Sequence, residues 1–379
     1  MSEEIEIVKV GDRGGLPEKE FIRLPFGIYA GCSEWVPWFN TDVRALVRGR
    51  HPFSNHNDGA FFVARCGGVP RGRIAVFENR SYNETHNLRH AQFYFLDLYD
   101  DDEVAAALFE TAFAWARGRG LEALTGPLGF GAVSGGGLLI EGFEHRSAMT
   151  MMAYNFPYYP QMLERLGFET YLDLYSYHLD SARFTLPDRV RSVAEKVLKR
   201  GSFRVMEFKS KAEIRAIAGE IGRVYNQSLS DHPENYEMTQ EELDRVTKDL
   251  MLTADPSLIK ILTYRDKIAG FLFGFPDLSA ALQRAKGRIN PLTLIDILGE
   301  FKRTRSLIIN GAGILPEYQR LGGNALLYYE LERTIHADGR FADADLTQIA
   351  QTTGMMLSDI DNIGGAERYK IHRIYTRRL

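Results

Sequence analysis

The sequence predicts an α/β protein with a mixed sheet (an α+β strand arrangement), built as two tandem units along 379 residues. Three observations carry that reading. Short apolar or alternating runs are interleaved with stretches of helical period instead of being segregated from them. The two halves repeat one pattern: Leu163-Glu164-Arg165-Leu166-Gly167-Phe168 before a strand parallels Ile360-Asp361-Asn362-Ile363-Gly364-Gly365 before a strand. Hairpin turns near Gly72 and Ala269 sit at comparable offsets. The third observation is the stretch from Ser306 onward. It reads as an apolar strand, a stop at Pro316, a loop carrying Gly322 and Gly323, and a helix to about Asp338. Pro316 cannot donate to a ladder, and Leu326, Leu327, Leu331 and Ile335 recur at helical spacing.

In chain order, Ile5 to Val10 alternates as a strand and precedes a helical, aromatic-rich region with Phe26, Tyr29, Trp35, Trp38 and Phe39. Phe61 to Arg65, the Gly67-Gly68 turn and Gly72 to Phe77 form a hairpin. A strand from Ala91 to Tyr99 leads to an amphipathic helix from Val104 to Arg117, closed by Gly118 and Gly120. Strands through Leu124 and from Ala148 to Ala153, a helix from Tyr158 to Gly167 and a strand from Tyr171 to Leu179 complete the first half. The second half offers a strand at Phe203–Phe208, helices at Lys211–Gln227 and Gln240–Met251, and a hairpin whose strands are Leu258 to Tyr264 and Ile268 to Phe275. After the organising strand and helix come a short segment near Leu346 to Ala350, a helix over Asp359 to Ile363 and a last strand from Tyr369 to Tyr375. This gives a first unit at 1–180, a connector helix within 181–201 and a second unit at 202–379, each of ordinary domain size.

Composition sets outer bounds. Hydrophobic content of 45% with 25% charged residues is that of a globular chain, and a formal charge of −4 offers no basic field for nucleic acid. Two cysteines, Cys32 and Cys66, point to a reducing compartment. The acidic N-terminus lacks a signal-peptide core, and no apolar run reaches the roughly 18 residues needed to span a bilayer. The expectation is a cytoplasmic protein without membrane partners, compatible with a homo-oligomer.

The loop after Pro316 opens a helix, where unpaired N–H groups and the positive dipole end favour an anion. Glycines there would let a phosphate approach; the plain alternative is a strand-to-helix turn with glycines for packing. Gln319-x-x-Gly322-x-Asn324 resembles the pyrophosphate loop of the GNAT acyl-CoA N-acyltransferases, Q/R-x-x-G-x-G/A, departing from it at Asn324. Asn155-x-Pro157-Tyr158-Tyr159 with Leu163, Gly167 and Phe168 is similar to that family's late motif. The chain also resembles bacterial proteins of about this length with paired GNAT units, through Gly142-Phe143, Phe275-Pro276-Asp277, Pro316 to Gly322 and Tyr369 to Tyr375. That resemblance implies acetyl-CoA or another acyl-CoA as cosubstrate and a small-molecule or peptide amine as acceptor. It puts the cofactor-binding residues at Gly313, Ile314, Leu315, Gln319, Arg320, Leu321, Gly322, Gly323 and Asn324. Where the family leads one to expect Glu and Asn, this chain has Gln351 and Thr353.

The equivalent helix start in the first half is Asp100-Asp101-Asp102-Glu103, whose carboxylates would repel a pyrophosphate. The second unit is therefore expected to hold the acyl-CoA. For acid–base work the expected residues are Tyr369, beside the last strand and able to protonate a departing thiolate, Asp277 at the end of a hairpin strand, and His232. Asp231 and Glu234 share the connection with His232. Two competing readings keep the fold: a CoA or acyl-ligand sensor without turnover, and an aminoacyl-tRNA-dependent transferase. Gly129 to Gly137 nearly spells a dinucleotide fingerprint but has one residue too many, and reads as a loop or close backbone approach. His86 and His90 are four apart without the flanking context of a metal site. The aromatics near Trp35 read as core.

Overall fold

A computed structural model describes residues 4–130, 134–181, 184–230 and 232–379. In chain order it contains β1 (Ile5–Lys9), α1 (Leu16–Ile28), α2 (Asn40–Val47), β2 (Asp58–Cys66), β3 (Val69–Glu78), α3 (Arg80–His86), β4 (His90–Leu98), α4 (Asp102–Arg117), β5 (Ala123–Gly126), β6 (Leu138–Glu141), α5 (Tyr158–Arg165) and β7 (Glu169–Leu179). There follow α6 (Asp188–Arg200), β8 (Phe203–Met206), α7 (Lys211–Ala216), α8 (Ala218–Leu229), α9 (Gln240–Thr253), β9 (Ile259–Tyr264) and β10 (Lys267–Pro276). The chain ends with α10 (Ser279–Ala285), α11 (Pro291–Arg303), β11 (Ser306–Ile314), α12 (Gly323–Asp338), β12 (Asp343–Ala350), α13 (Gly354–Ile363) and β13 (Ala366–Arg378).

The chain forms two compact units. The first comprises Met1–Leu174, Ser279–Ile297 and Lys370–Leu379; the second comprises Tyr175–Leu278 and Leu298–Tyr369. In the first, β1, β2, β3 and β4 pair antiparallel in sequence order, and β4 then pairs parallel with β5. Tyr375–Arg378 of β13 run antiparallel along β5. In the second, β8, β9, β10 and β11 pair antiparallel in order and β11 pairs parallel with β12. The same strand order therefore occurs twice, the structural form of the repeat seen in the sequence.

Each sheet is covered by the helix that joins its parallel strands. α4 turns Val104, Leu108, Phe109, Ala112 and Phe113 onto the first sheet, all at most 1% exposed, and they pack with Phe93 and Phe168. Losing a side chain like Phe109 costs about 3–5 kcal/mol. α12 does the same with Leu326, Leu327, Leu331 and Ile335 over Leu262, Leu272 and Leu307.

Several expectations change in detail. The helix read at Lys211–Gln227 is broken between α7 and α8, where Ile217 leaves helical geometry at φ −114° and ψ 10°. The strand expected from Ala148 to Ala153 is a turn, with Met149 at φ +48°, and the local strand is β6 instead. Helices α10 and α11 lie where no element was expected. His86 closes α3 while His90 opens β4, so the two do not share a helix face. No metal-ligand cluster occurs among the described residues. Gly135 and Gly137 lie against the backbone of Met151 and Arg373, where added β-carbons would come within 2.5 and 2.9 Å. That close approach explains the glycines of the loop, of which residues 131–133 are outside the described set.

Candidate active site

In the second unit, β11 and β12 are bonded from Ser306↔Asp343 to Ile309↔Leu346. Beyond that pair, β11 stays on β10 alone, and a notch opens toward the carboxyl ends of the two strands. The cause lies in β11. Between the pairs Gly274↔Ile309 and Leu272↔Ala312, the single residue Phe273 faces both Asn310 and Gly311. This is a bulge, which bends its strand and leaves one residue outside the ladder. Gly311 takes φ +96°, open to glycine and strained for other residues.

At the head of the notch the chain turns through Pro316–Tyr318, with Gln319 Nε2 donating to the Ile314 carbonyl at 3.0 Å. Gly322, at φ +90°, is the N-cap of α12, and no side chain caps that helix. Its first N–H groups, on Gly323, Asn324 and Ala325, have no partner within the helix and point out with the positive dipole end. The glycines serve packing here. A β-carbon on Gly322 would lie 2.8 Å from Val197 and 3.1 Å from Val193 of α6, and one on Gly323 would lie 2.6 Å from Leu262. Packing is by itself a sufficient reason for both glycines. Asn324 does not crowd the loop either: its Nδ2 donates to Asp359 Oδ2 of α13 at 2.6 Å, and the Tyr328 hydroxyl donates to the same oxygen at 3.2 Å. An open cleft of about 270 Å³ lies between this helix start, α6 and α13. Arg189 stands there and donates to the Asn362 carbonyl at 3.1 Å.

Where the strands join, titratable groups gather. His178 Nδ1 is 2.8 Å from Asp345 Oδ1, and Asp345 pairs with Ile308, one residue before the notch opens. The hydrogen bond to Asp345 is the main cause that raises the His178 pKa above its ordinary value. The Tyr369 ring meets the His178 ring edge-on at 5.7 Å. Burial first, then the charge and hydrogen bond of Asp345, then the charge of Asp277, hold the Tyr369 phenol protonated well above the usual range. Asp277 is buried, its N–H on the Ser306 carbonyl at 2.9 Å.

The structure thus places two expected residues, Tyr369 and Asp277, close enough for the Asp277 charge to act on the phenol, with Asp345 beside Tyr369; the third lies on another element. His232 sits in the turn after α8, 3.6 Å from Glu234; Asp231 is outside the described residues. Sequence reasoning missed His178 and Asp345. Their signals were a histidine in an alternating strand and the Asp343-Ala344-Asp345 start of a short one. The joined end of the strands also borders a small apolar cavity of about 70 Å³, lined by Ile309, Leu346, Leu272, Tyr328, Leu331 and Ile360.

The first unit repeats the notch without the open helix start. Its parallel ladder runs only from His90↔Ala123 to Gln92↔Thr125. Ile74 faces both Phe95 and Leu96, with Phe95 at φ +48°. Here, however, Asp101 Oδ1 accepts from the N–H groups of Glu103 and Val104, both at 3.1 Å, filling the start of α4. The hydroxyls of Tyr158 and Tyr159 both donate to the Leu98 carbonyl, at 2.7 and 2.9 Å, which gives that pair a structural role. Trp35 stacks on the buried Tyr29 at 5.0 Å and Trp38 meets the buried Phe95 edge-on at 5.6 Å, as a core reading expects, and both also line an open cleft with Tyr94, Tyr154 and the buried Arg73–Asp97 pair.

No family model matches the chain. Protein YghO of Escherichia coli (strain K12) is 26% identical over 366 residues, 95% of this chain and 93% of that protein. A bacterial ceramide synthase of Caulobacter vibrioides (strain NA1000 / CB15N) is 24% identical over 370 residues, 95% of this chain and 94% of that one. Among solved structures, a tandem GNAT protein from the clavulanic acid biosynthesis pathway superposes with a TM-score of 0.55 at 13% identity, covering 99% of this chain and 98% of its own.

Proposed function

We propose that this chain, which has the tandem GNAT fold, transfers an acyl group from an acyl-CoA bound by its second unit to an amine. The observation that carries the reading is the contrast between two equivalent helix starts: α4 is filled by Asp101, while α12 is left without a side-chain cap beside an open notch. In this reading the amides of Gly323, Asn324 and Ala325 bind the pyrophosphate, with Arg189 and the exposed Arg320 adding positive charge. The N–H group that the bulge over Asn310 and Gly311 leaves outside the ladder is suited to hold the thioester carbonyl as it gains charge.

The reaction forms a C–N bond and breaks the C–S bond of the thioester. The amine proton goes to neutral His178, whose cation Asp345 stabilises; the thiolate takes a proton from Tyr369. The apolar lining behind Ile309 and Leu346 favours a hydrocarbon chain there, and the reading extends to acyl groups longer than acetyl. The relative named as a ceramide synthase points the same way, since a ceramide is an N-acylated long-chain amino alcohol.

The test compares acetyl-, octanoyl- and palmitoyl-CoA. At 100 times its dissociation constant a bound acyl-CoA stabilises by about 2.7 kcal/mol, a melting shift of several degrees. The longer chains should bind tighter than acetyl, and thiol release should require an added long-chain amine. No stabilisation by any of the three would sink the proposal. Stabilisation without thiol release from any amine would leave a binding protein.

A further inference from the structure

Helix α11 is amphipathic in the wrong sense for a globular surface. Leu292, Ile295 and Leu298, spaced three apart along one face, are 77%, 65% and 65% exposed, and Leu294 and the preceding Ile289 are 49% and 47% exposed. The opposite side holds the polar groups: Thr293 is buried, Asp296 pairs with Arg284 at 2.8 Å and Glu300 with Arg303 at 3.5 Å. A surface helix ordinarily turns its apolar stripe inward. Large apolar side chains grouped on one exposed helix face mark an interaction surface. Both ends of the helix are basic. Lys286 and Arg288 precede it, Lys302 lies in its last turn and Arg305 follows it; all four are exposed, and none is ion-paired among the described residues.

We infer that α11 lies in the headgroup region of an anionic phospholipid bilayer, with Leu292, Ile295 and Leu298 inserted and Lys286, Arg288, Lys302 and Arg305 on the lipid phosphates. The charges choose this occupant. A second copy of the chain would meet the apolar stripe with the same four cations facing their own kind, whereas an anionic surface satisfies both features at once. The helix is 13 residues long, about 20 Å, and no helix among the described residues is long and apolar enough to cross a membrane. It lies on the bilayer and does not span it.

The test is co-flotation of the purified chain with vesicles of phosphatidylcholine containing about 30% phosphatidylglycerol, against phosphatidylcholine alone. Binding to the anionic vesicles is expected, and it should weaken markedly between low and physiological salt. The exposed triple change Leu292→Gln, Ile295→Gln and Leu298→Gln should cut the partition coefficient about a hundredfold or more, because three inserted apolar side chains are lost. Lys302→Glu with Arg305→Glu should remove the preference for the anionic lipid. Absence of flotation with either vesicle, or flotation unchanged by the triple change, would overturn the inference. So would a dimer in light scattering that the triple change makes monomeric while vesicles bind neither form, since a second copy would then cover the face. Melting curves of the variants, expected to match the parent because these side chains touch little protein, show that each is folded.

Discussion

The substitution Gly322→Ala separates two reasons for a glycine at the start of α12. The residue sits at φ +90°, and an added β-carbon would come within 2.8 Å of Val197 Cγ2 and 3.1 Å of Val193 Cγ1. Left-handed backbone costs a non-glycine residue about 1–2 kcal/mol. Crowding a packed contact adds about 1–3 kcal/mol, because both neighbours are β-branched and stiff. The expected total is about 2–5 kcal/mol, which in a unit of this size lowers the melting temperature by about 5–15 °C. Thermal melts of the single variant, of Val197→Ala and of the double variant form a cycle. Trimming Val197 should return the crowding part, so the double variant should cost about 1–3 kcal/mol less than the sum of the singles. An unchanged melting temperature in Gly322→Ala, with acyl-CoA affinity lost, would refute this reasoning and restore a glycine kept for phosphate approach. Equal costs with and without Val197→Ala would remove the packing part and leave only the backbone strain.

Three further outcomes are expected. His372 is fully buried and desolvation lowers its pKa to about 4; between about pH 6.5 and 4 the unfolded chain takes up a proton that the native state refuses. Stability should therefore be complete above pH 6.5 and fall by about 3 kcal/mol toward pH 4, and urea titrations should show this slope flatten in His372→Gln. The rate of acyl transfer should rise with pH through the raised pKa of His178, and Asp345→Asn should move that midpoint down toward 6.5; an unmoved midpoint would exclude His178 as base. Tyr369→Phe should lower kcat by about 10²- to 10⁴-fold with acyl-CoA affinity nearly constant, whereas a loss under about threefold would make the phenol a packing group.

What the sequence made legible follows the range of the interactions involved. The stretch from Ser306 to Asp338 was readable because its signals are local: Pro316 stops a strand, and apolar residues at helical spacing mark α12. The filling of α4 was readable for the same reason, since Asp101 caps amides two and three residues ahead of it. The His178–Asp345 pair was not, because it joins residues 167 positions apart that meet only once β7 lies beside β12. Nor could the sequence show that Val193 and Val197, on the preceding helix, press on Gly322. His232 is expected from its residue type and its neighbours along the chain, and it lies in the turn after α8 beside Glu234. The aromatics near Trp35 read as core, and Tyr29 and Trp35 do pack there; the cleft that Trp35 also lines is closed by residues far along the chain and has no local signal.

The repeat itself supplies the strongest argument about where a ligand belongs. Both units split their parallel strands soon after pairing begins, and both place a bulge in the strand that leads to the covering helix. A bulge has a cost in ladder hydrogen bonds, so its presence twice is the mark of a shared architecture and does not by itself say which copy works. The helix starts do distinguish the copies. An aspartate at the N-cap is worth about 1 kcal/mol to a helix, and α4 takes that gain through Asp101 while α12, of the same length, forgoes any side-chain cap. Sequences tend to satisfy such local rules except where function needs the group left open. Asp101→Ala should therefore cost the first unit about 1 kcal/mol. A capping aspartate introduced at position 322 cannot repay the second unit in the same way, since any side chain there meets Val197. The unfilled amides of α12 are then held open by the packing of α6, and the anion we assign to them completes the cap that the chain does not supply.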